Sequence, residues 1–167
     1  MTIFIVGFMG CGKSTLGKKL AYNIEYDFID LDIYIQEQEG KSIKEIFVEN
    51  GEDYFRKLER ACLKKVINNK KTVISVGGGT PCYFDNIQLM NENGLTIYIN
   101  MHPKDLISRL QSSEKFRPLI DGMQDDQLLD FVYKKLEERE GFYKKSHKLV
   151  NGFDLSVKKL KEYCSLD

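Results

Sequence analysis

The sequence predicts an α/β protein in which a parallel sheet is covered by helices on both faces. Short apolar runs alternate with longer segments of helical period along the chain, which is typical of strand–helix–strand units and therefore of parallel strands. A glycine-rich loop joins the first run to the first helix, and aspartates or glycines follow the next runs. Because such folds bind ligands beyond the carboxyl ends of their strands, we expect the functional residues at these positions.

Length and composition fit a single domain, residues 1–167. Hydrophobic residues make up 42% and charged residues 30% of the chain, which excludes disordered and fibrous classes. Lys+Arg and Asp+Glu both number 25, so no net charge draws the protein to nucleic acid. The four cysteines lack CxxC spacing. No apolar stretch is as long as the about 18 residues that a membrane span needs. We expect a cytoplasmic protein without nucleic-acid or membrane partners.

Four short runs rich in β-branched and aromatic residues predict strands. They are Thr2–Val6, 27–31, 72–76 and 95–99, and a short apolar piece at 149–150 precedes the last predicted helix. The first run ends at Gly7, and three consecutive glycines from Gly77 to Gly79 end the third. Asn93 and Gly94 predict a turn before the fourth strand.

Helical period and capping signals predict the helices between these strands. Leu16 and Leu20 lie one turn apart after the first strand, and Ser42 and Glu45 form a capping box. The helix that this box opens is predicted to end at Asn50 and Gly51. Two further predicted helices start near Ile33 and at Pro103. Three more run over about 55–66, 125–146 and 155–164. The segment 112–122 has no period and predicts a loop.

The residues from Gly7 to Ser14 match G-x-x-x-x-G-K-S, with a strand before them and a helix after them. Backbone N–H groups of such a loop wrap a phosphate chain, while Lys13 reaches the β- and γ-phosphates and Ser14 holds Mg²⁺. A plain glycine turn is the alternative, and both flanks favour nucleotide binding. Cys11 is either a reactive thiolate that bound ATP protects or an inert spacer with its sulfur in the core.

Asp30 and Asp32 follow the second strand as alternate residues. In an extended segment residues i and i+2 point the same way, so both carboxylates can face one site. Beside a P-loop, one can anchor the magnesium shell and the other can take a proton from an attacking hydroxyl. The alternative is a helix N-cap, which explains one aspartate but not two.

Four further features each have a functional and a structural interpretation. Arg56 and Glu59 are either part of a site or an exposed surface pair on one helix. The glycines from Gly77 to Gly79 either let a ligand approach the backbone or form a turn. Arg139 lies in the apolar stripe of its helix, so it either snorkels or pairs with a buried anion. Arg117 is either a solvated loop residue or a cation that a moving loop brings onto a phosphate.

Together these residues resemble the shikimate kinase family, small P-loop enzymes that phosphorylate shikimate from ATP. The resemblance extends through about Tyr143. Its most selective motifs, in chain order, are Asp30-Leu-Asp32, Gly40-Lys-Ser42-Ile43, Glu45-Ile-Phe47, Gly51-Glu52, Phe55-Arg56-Lys-Leu-Glu59, Gly77-Gly78-Gly79, Arg117-Pro118-Leu119 and Arg139-Glu-Gly-Phe-Tyr143. It implies the P-loop fold of nucleoside monophosphate kinases, with a five-stranded parallel sheet of order 2-3-1-4-5. It also implies a shikimate-binding helical region at about 31–60 and a mobile lid at about 112–124.

The resemblance also implies a role for each matching residue. Shikimate is held by Asp32, Arg56, Gly78, Gly79 and Arg139, with the two arginines on its carboxylate and Glu59 orienting Arg56. The catalytic residues are Asp32, Lys13 and Arg117, the last of which closes over the phosphates with the lid. ATP is bound by Gly10, Cys11, Gly12, Lys13, Ser14, Thr15, Arg109 and Arg117. Mg²⁺ is held by Ser14 and Asp30.

The predicted function is ATP-dependent phosphorylation of the 3-hydroxyl of shikimate by a monomer, a step of aromatic amino-acid biosynthesis. Another small-molecule kinase, acting on gluconate or a nucleoside monophosphate, is the first alternative, and two arginines suit a small hydroxylated carboxylate better. A GTP-dependent switch is disfavoured because Asn69-Lys70-Lys71-Thr72 precedes a strand and lacks the Asp of the guanine motif. An inactive nucleotide-binding module is expected to lose Lys13, Asp32 or an arginine, and none is missing.

Overall fold

Five parallel strands form the sheet in the computed structural model, which describes residues 1–113 and 119–164. The strands are β1 (Thr2–Val6), β2 (Asp27–Asp30), β3 (Thr72–Ser75), β4 (Gly94–Asn100) and β5 (Lys148–Asn151). Their order across the sheet is β2-β3-β1-β4-β5, and every neighbouring pair is parallel. The predicted fold class and strand order are therefore confirmed.

Seven α-helices connect and cover the strands of the described residues. They are α1 (Lys13–Ile24), α2 (Leu31–Glu39), α3 (Ile43–Val66), α4 (Asn86–Asn93), α5 (Pro103–Gln111), α6 (Asp125–Tyr143) and α7 (Val157–Cys164), with a 3-10 turn at Thr80–Cys82 after β3. Helix α1 packs on β2 and β3 and against α7, and α5 packs against α6. Within the described part of the chain, no helix has the length and apolar character needed to cross a membrane.

Helix α3 begins with the predicted capping box, in which the Ser42 hydroxyl accepts a hydrogen bond from Glu45 N and the Glu45 carboxylate accepts one from Ser42 N. The helix break predicted at Asn50 and Gly51 is confirmed, because α3 has two helical halves that meet at a kink at Gly51, and the second half ends at Val66. Gly51 has φ 80° and ψ 174°, a conformation that a residue with a side chain rarely adopts. The kink sets the direction of the second half of α3, which carries Arg56 and Glu59.

The turn predicted at Asn93 and Gly94 is wrong. Helix α4 ends at Asn93 and β4 begins directly at Gly94, whose φ of 177° is extended backbone. A Cβ at this position would collide with the carbonyl oxygen of Thr2 on β1. The glycine is therefore required by close packing between β1 and β4 and not by a turn.

The strand register brings three functional segments to one edge of the sheet. Asp30 on β2 pairs with Ser75 on β3, and Ser75 pairs with Ile5 on β1. All five residues of β1 are buried, so the loop that follows it is fixed to the centre of the sheet. The carboxyl ends of β1, β2 and β3 therefore meet, and Gly7, Asp30 and Gly77 begin the segments that leave this edge.

Candidate active site

Two adjoining cavities open at this edge of the sheet. One, of about 430 Å³, is lined by Arg56 and Arg139 and is here called the arginine cavity. The other, of about 320 Å³, is lined by the loop after β1 and is called the P-loop cavity. Asp30 and Asp32 line both, together with Met9, Gly77 and Gly78. The two aspartates therefore lie in the wall between the cavities.

The P-loop has the conformation that its glycines permit. Gly7, Gly10 and Gly12 have φ angles of 152°, 84° and 96°, so the chain turns sharply from β1 into α1. The Lys13 ammonium donates hydrogen bonds to the carbonyl oxygens of Gly7 and Phe8, at 2.9 and 3.0 Å. Because α1 begins at Lys13, its unpaired N–H groups and its dipole favour an anion here.

The residues predicted to hold ATP lie together around the P-loop cavity. Those that line it are Gly10, Gly12, Lys13, Ser14, Thr15 and Arg109. The Arg109 guanidinium donates a hydrogen bond to the Cys11 carbonyl oxygen at 3.3 Å, which ties α5 to the P-loop. Arg117, predicted both for ATP and for catalysis, lies outside the described residues, as do residues 114–118 of the predicted lid.

Cys11 is the exception among the predicted ATP-binding residues, because its side chain does not face the P-loop cavity. It is fully buried, and a Cβ at Gly7 would lie 2.8 Å from its sulfur. A buried sulfur packed against the loop supports the inert-spacer interpretation over the reactive-thiolate one. Only the backbone of Cys11 remains available for nucleotide binding.

The two carboxylate oxygens of Asp30 accept hydrogen bonds from different parts of the site. Its Oδ1 accepts hydrogen bonds from the N–H groups of Asp32 and Ile33, at 3.1 and 3.4 Å, and so caps α2. Its Oδ2 accepts a hydrogen bond from the Ser14 hydroxyl at 2.5 Å, and the Ser75 hydroxyl lies 3.4 Å from that of Ser14. The capping and functional interpretations of Asp30 are therefore compatible.

These three oxygen-bearing side chains fit a magnesium site. Mg²⁺ prefers oxygen ligands and is commonly bound by one or two carboxylates, with water and substrate phosphates completing its shell. No cluster of three or more His, Cys, Asp or Glu side chains suited to a metal occurs among the described residues. The donor set around Ser14 and Asp30 thus fits a metal that the nucleotide phosphates help to hold.

Asp32 lies in the first turn of α2, not on an extended segment as predicted. The strand ends at Asp30, so the two aspartates do not share one face of a strand; both still line the two cavities because the helix turns at the site. A Cβ at Gly77 would lie 3.0 Å from Asp32 Oδ1, which shows how closely the glycine segment approaches this carboxylate.

Arg56 is buried and bound by two glutamates. Its Nη1 donates to Glu59 Oε2 at 3.0 Å, and its Nε and Nη2 donate to Glu52 Oε1 at 3.2 and 3.0 Å. The Thr80 hydroxyl donates to the other oxygen of Glu59 at 2.6 Å. Burial raises the pKa of the Glu59 carboxyl, while Arg56 and Thr80 act in the opposite direction. The surface-pair interpretation is therefore wrong, since Glu59 is 1% exposed.

Arg139 is 6% exposed on the buried face of α6, with Phe8 5.7 Å from its guanidinium carbon. Within the described residues no carboxylate forms an ion pair with it. A buried cation without an anion is costly, so its position on the arginine cavity favours an anionic ligand over snorkelling.

The glycine segment runs between the two arginines. Gly78 lies beside Arg139, and its carbonyl oxygen accepts a hydrogen bond from the Tyr143 hydroxyl at 2.5 Å. A Cβ at Gly79 would lie 2.6 Å from both terminal nitrogens of Arg56. The structure thus brings together Asp32, Arg56, Gly78, Gly79 and Arg139, all predicted to bind the acceptor, around one cavity.

Several residues at the site had no predicted role. Ser75 and Glu52 are among them, although Ser75 is detectable as the last residue of a strand beside Asp30. The apolar walls of the arginine cavity were also missed; they are formed by Met9, Ile33, Ile43, Phe47, Phe55 and Leu119. Their spacing resembles ordinary core residues, so the sequence carries no signal that they face a ligand.

Comparison with known proteins gives one family. The model of the family described as shikimate kinase matches residues 9–164. A shikimate kinase of Bacteroides thetaiotaomicron is 42% identical over 172 residues, covering 98% of each chain. The crystal structure of shikimate kinase from that organism has a TM-score of 0.95 and 41% identity, covering 99% of each chain.

More distant structures separate family from fold. Shikimate kinase from Acinetobacter baumannii in complex with shikimate has a TM-score of 0.85 at 27% identity, covering 98% of this chain and 89% of that one. A gluconokinase from Sinorhizobium meliloti has a TM-score of 0.62 at 17% identity, and the alignment covers 97% of this chain and 88% of the gluconokinase chain. This likeness is one of fold alone. The match to the family model over most of the chain, together with the site geometry, shows that this protein belongs to the shikimate kinase family.

Proposed function

We propose that the protein transfers the γ-phosphoryl group of ATP to the 3-hydroxyl of shikimate, giving shikimate 3-phosphate and ADP in aromatic amino-acid (chorismate) biosynthesis. The observation that carries this proposal is the pair of buried arginines on a cavity that shares its aspartate wall with the P-loop cavity. One cavity suits a small carboxylate and the other a nucleotide. The shikimate complex of the Acinetobacter relative supports the choice of acceptor.

The P-loop cavity receives the nucleotide phosphates. The N–H groups at the start of α1 and the Lys13 ammonium face this cavity, and both attract phosphate oxygens. Ser14 and Asp30 would hold Mg²⁺, which neutralises phosphate charge when bound. Arg109, which lies 98 residues after Cys11 in the sequence, lines the same cavity, where it can approach the nucleotide from α5. Arg117 is proposed, from the family resemblance, to reach the phosphates.

The arginine cavity receives the acceptor. Arg56 uses three of its five N–H donors on Glu52 and Glu59, so one hydrogen on each terminal nitrogen remains for a carboxylate. Arg139 supplies a second buried cation on the same cavity. The apolar walls suit the carbon ring of shikimate, and Gly78 and Gly79 let the ring approach the backbone. Together these features position the acceptor with its hydroxyls near Asp32.

Asp32 is proposed to align the acceptor hydroxyl and to take its proton as the phosphoryl group is transferred. This role is supported by its place in the wall between the cavities, where it would adjoin both the acceptor and the phosphates. Phosphoryl transfer depends chiefly on positioning and on charge stabilisation, so Lys13 contributes by holding the phosphate oxygens while Asp32 directs the nucleophile.

Gluconate is the second acceptor to consider, because it is also a hydroxylated carboxylate that two arginines can bind. The apolar walls favour the partly unsaturated ring of shikimate over the open polyol chain of gluconate, since a polyol would bury unpaired hydroxyls there. A nucleoside monophosphate is disfavoured by the match to the shikimate kinase family model over residues 9–164.

A coupled assay of ADP release tests the proposal. Purified protein with Mg-ATP is given shikimate, gluconate or each nucleoside monophosphate in turn, with a reaction lacking acceptor as the blank. Turnover with shikimate and identification of a phosphorylated product by mass spectrometry are expected. Turnover with gluconate or a nucleotide, but none with shikimate, would overturn the proposed acceptor. The monomeric state and the cytoplasmic location stay predictions.

A further inference from the structure

Tyr83, which follows the 3-10 turn after the glycine segment, packs against Arg56. The centre of its ring lies 4.1 Å from the guanidinium carbon of Arg56, whereas the ring of Phe55 lies 5.2 Å away. Tyr83 does not line the arginine cavity of the described residues. It therefore contacts the guanidinium from behind, on a side that the acceptor does not reach.

The Tyr83 hydroxyl makes a second, indirect connection to Arg56. It donates to Glu52 Oε1 at 2.9 Å, the same oxygen that accepts from Arg56 Nε and Nη2. The Glu52 side chain is 48% exposed, so without the tyrosine it has room to change rotamer. Partial burial raises the pKa of Glu52, but the hydrogen bonds from Tyr83 and Arg56 outweigh it and the pKa is lowered. Glu52 is thus held as a charged acceptor between the two residues.

The chain around Tyr83 is held against α3 by a second arginine, one helical turn after Arg56. Arg60 forms an ion pair with Asp85, donates to Asn86 Oδ1 at 2.8 Å, and lies over the ring of Phe84 at 5.2 Å. Phe84 has φ 52°, a left-handed conformation that is unfavourable for a bulky residue and persists only where its surroundings hold it. The backbone next to Tyr83 is therefore fixed by contacts independent of Arg56.

We propose that Tyr83 is a positioning residue, whose ring holds the Arg56 guanidinium in the plane that leaves two N–H donors directed at the acceptor carboxylate. The inference rests on the proposed function, since it takes Arg56 to bind that carboxylate. An arginine side chain has several rotatable bonds, and fixing it before the ligand arrives removes an ordering cost from binding. A stacked aromatic ring fixes the plane of a guanidinium in a way that carboxylates alone do not.

Calorimetric titration of three variants tests this role. Tyr83→Leu removes the ring and is expected to weaken shikimate binding by about 5- to 30-fold, the range of a desolvated cation–π contact. ADP binding should change by less than about twofold, and KM for shikimate should rise while kcat is largely kept, because ground and transition states lose the same contact. Tyr83→Phe keeps the ring and is expected to stay within about threefold of the wild type, because the lost hydrogen bond is solvent-exposed and acts on Arg56 only through Glu52.

Phe84→Leu is the matched control. It removes the neighbouring aromatic ring, which stacks on Arg60, a residue that does not line the arginine cavity among the described residues. Shikimate affinity should remain that of the wild type, because Arg60 keeps its bonds to Asp85 and Asn86 and these still hold the segment that carries Tyr83. Far-UV circular dichroism and a melting curve check that each variant is folded. If Tyr83→Leu does not fold, Tyr83→Met, which keeps bulk without a ring, carries the same expectation.

Three results overturn the inference. Wild-type shikimate affinity in Tyr83→Leu shows that Arg56 needs no ring, and an equal loss in Tyr83→Phe assigns the effect to the hydroxyl instead. An equal loss in Phe84→Leu shows a general loosening of the segment. Failure of the wild-type protein itself to bind shikimate refutes the proposed function, which distinguishes that outcome from the other three.

Discussion

Asp32 lies in the wall between the two cavities, where the acceptor hydroxyl and the γ-phosphate are expected to meet. Asp32→Asn keeps the shape of the side chain but removes its charge and its capacity to accept a proton. We expect kcat to fall by roughly 10²–10⁴. The lower end of that range applies if alignment outweighs proton transfer, because the transition state of phosphoryl transfer is loose. Steady-state kinetics with shikimate and Mg-ATP measure the effect.

Asp27→Asn is the control for this change. Asp27 is exposed at the start of β2, on the same strand that ends at Asp30, and it lines neither cavity among the described residues. Its kcat should match that of the wild type. A wild-type kcat in Asp32→Asn would mean that another group aligns and deprotonates the hydroxyl.

Position 79 requires glycine because Arg56 leaves no room for a side chain, and not because of the backbone conformation there. Its φ of −88° is accessible to any residue, but a Cβ would lie 2.6 Å from both terminal nitrogens of Arg56. Arg56 cannot yield easily because Glu52 and Glu59 hold it on two sides. We expect Gly79→Ala to weaken shikimate binding by about tenfold or more, the loss of a charge-assisted hydrogen bond, with ADP affinity unchanged. Calorimetry that gives wild-type shikimate affinity would contradict this.

For single residues, the sequence predicts a functional role where a motif or the end of a strand marks the position. It does not predict the role of residues that reach the site only through packing of the folded chain. Asp30, Asp32 and Lys13 are found because a motif or a strand end marks them. Capping and metal binding are alternatives for Asp30 at the level of sequence, because a sequence does not reveal that one carboxylate accepts from both the N–H groups of α2 and the Ser14 hydroxyl. Tyr83 follows the glycine segment without any periodic signal, so only the folded backbone shows its contact with Arg56.

Among the elements, α3 connects the two halves of the acceptor site. Its first turn carries Ser42 and Ile43 and its second half carries Phe55 and Arg56, and all four line the arginine cavity. The kink at Gly51 lies between them. A straight helix would carry the two halves in one line, so the kink is what lets both face the same cavity.

Two helical glycines allow the effect of backbone conformation on stability to be measured apart from the effect of packing. Gly51 and Gly141 are both exposed, and a Cβ at either meets nothing within 4 Å. Gly51 has φ 80° and ψ 174°, a region essentially restricted to glycine, so Gly51→Ala should destabilise the fold by about 1–3 kcal/mol. Gly141 lies inside α6 without a positive φ, so Gly141→Ala should stabilise it by about 0.5–1 kcal/mol.

Urea unfolding measures both changes in the free energy of unfolding, and each variant serves as the other's control. Gly51→Ala should also weaken shikimate binding, because it alters the direction of the half-helix that carries Arg56. Destabilisation of the same size in both variants would show that helix packing and not the kink sets the requirement for glycine.

The elements themselves were predicted well where the sequence has strong periodicity and poorly where two elements join without a loop. The capping box at Ser42 and the order of the strands are correct. The helix break at Gly51 is also correct, whereas the direct passage from α4 into β4 is not a local property. Gly94 reads as a turn in the sequence, but its close approach to Thr2 on β1 decides its role.

At the scale of the whole molecule, the register of β1, β2 and β3 makes the nucleotide and acceptor sites neighbours. The two cavities share Met9, Asp30, Asp32, Gly77 and Gly78, so we expect each ligand to contact residues that also contact the other. Lys13 belongs to the P-loop cavity alone and Arg139 to the arginine cavity alone. Substitution of these two residues can therefore separate binding of the two ligands.

Ligand binding to this fold should raise its melting temperature in a way that identifies each cavity. A ligand present at about 100 times its Kd adds about 2.7 kcal/mol to the stability of the native state. For a chain of this size each kcal/mol raises Tm by about 2–4 °C, so shikimate or ADP with Mg²⁺ should each raise Tm by about 5–10 °C. Differential scanning fluorimetry of the wild-type protein with each ligand in turn measures the two shifts.

The two cavity-specific variants should lose these shifts selectively. At the same ligand concentrations, Arg139→Ala should lose most of the shikimate shift and keep the ADP shift, because the buried cation on the arginine cavity is gone while the P-loop is intact. Lys13→Ala should show the reverse. Each comparison uses the variant's own Tm without ligand, so a change in basal stability does not affect it. If both variants lost both shifts, the cavities would act as one site; if Arg139→Ala kept the shikimate shift, Arg139 would be a packing residue and the carboxylate would be bound by Arg56 without it.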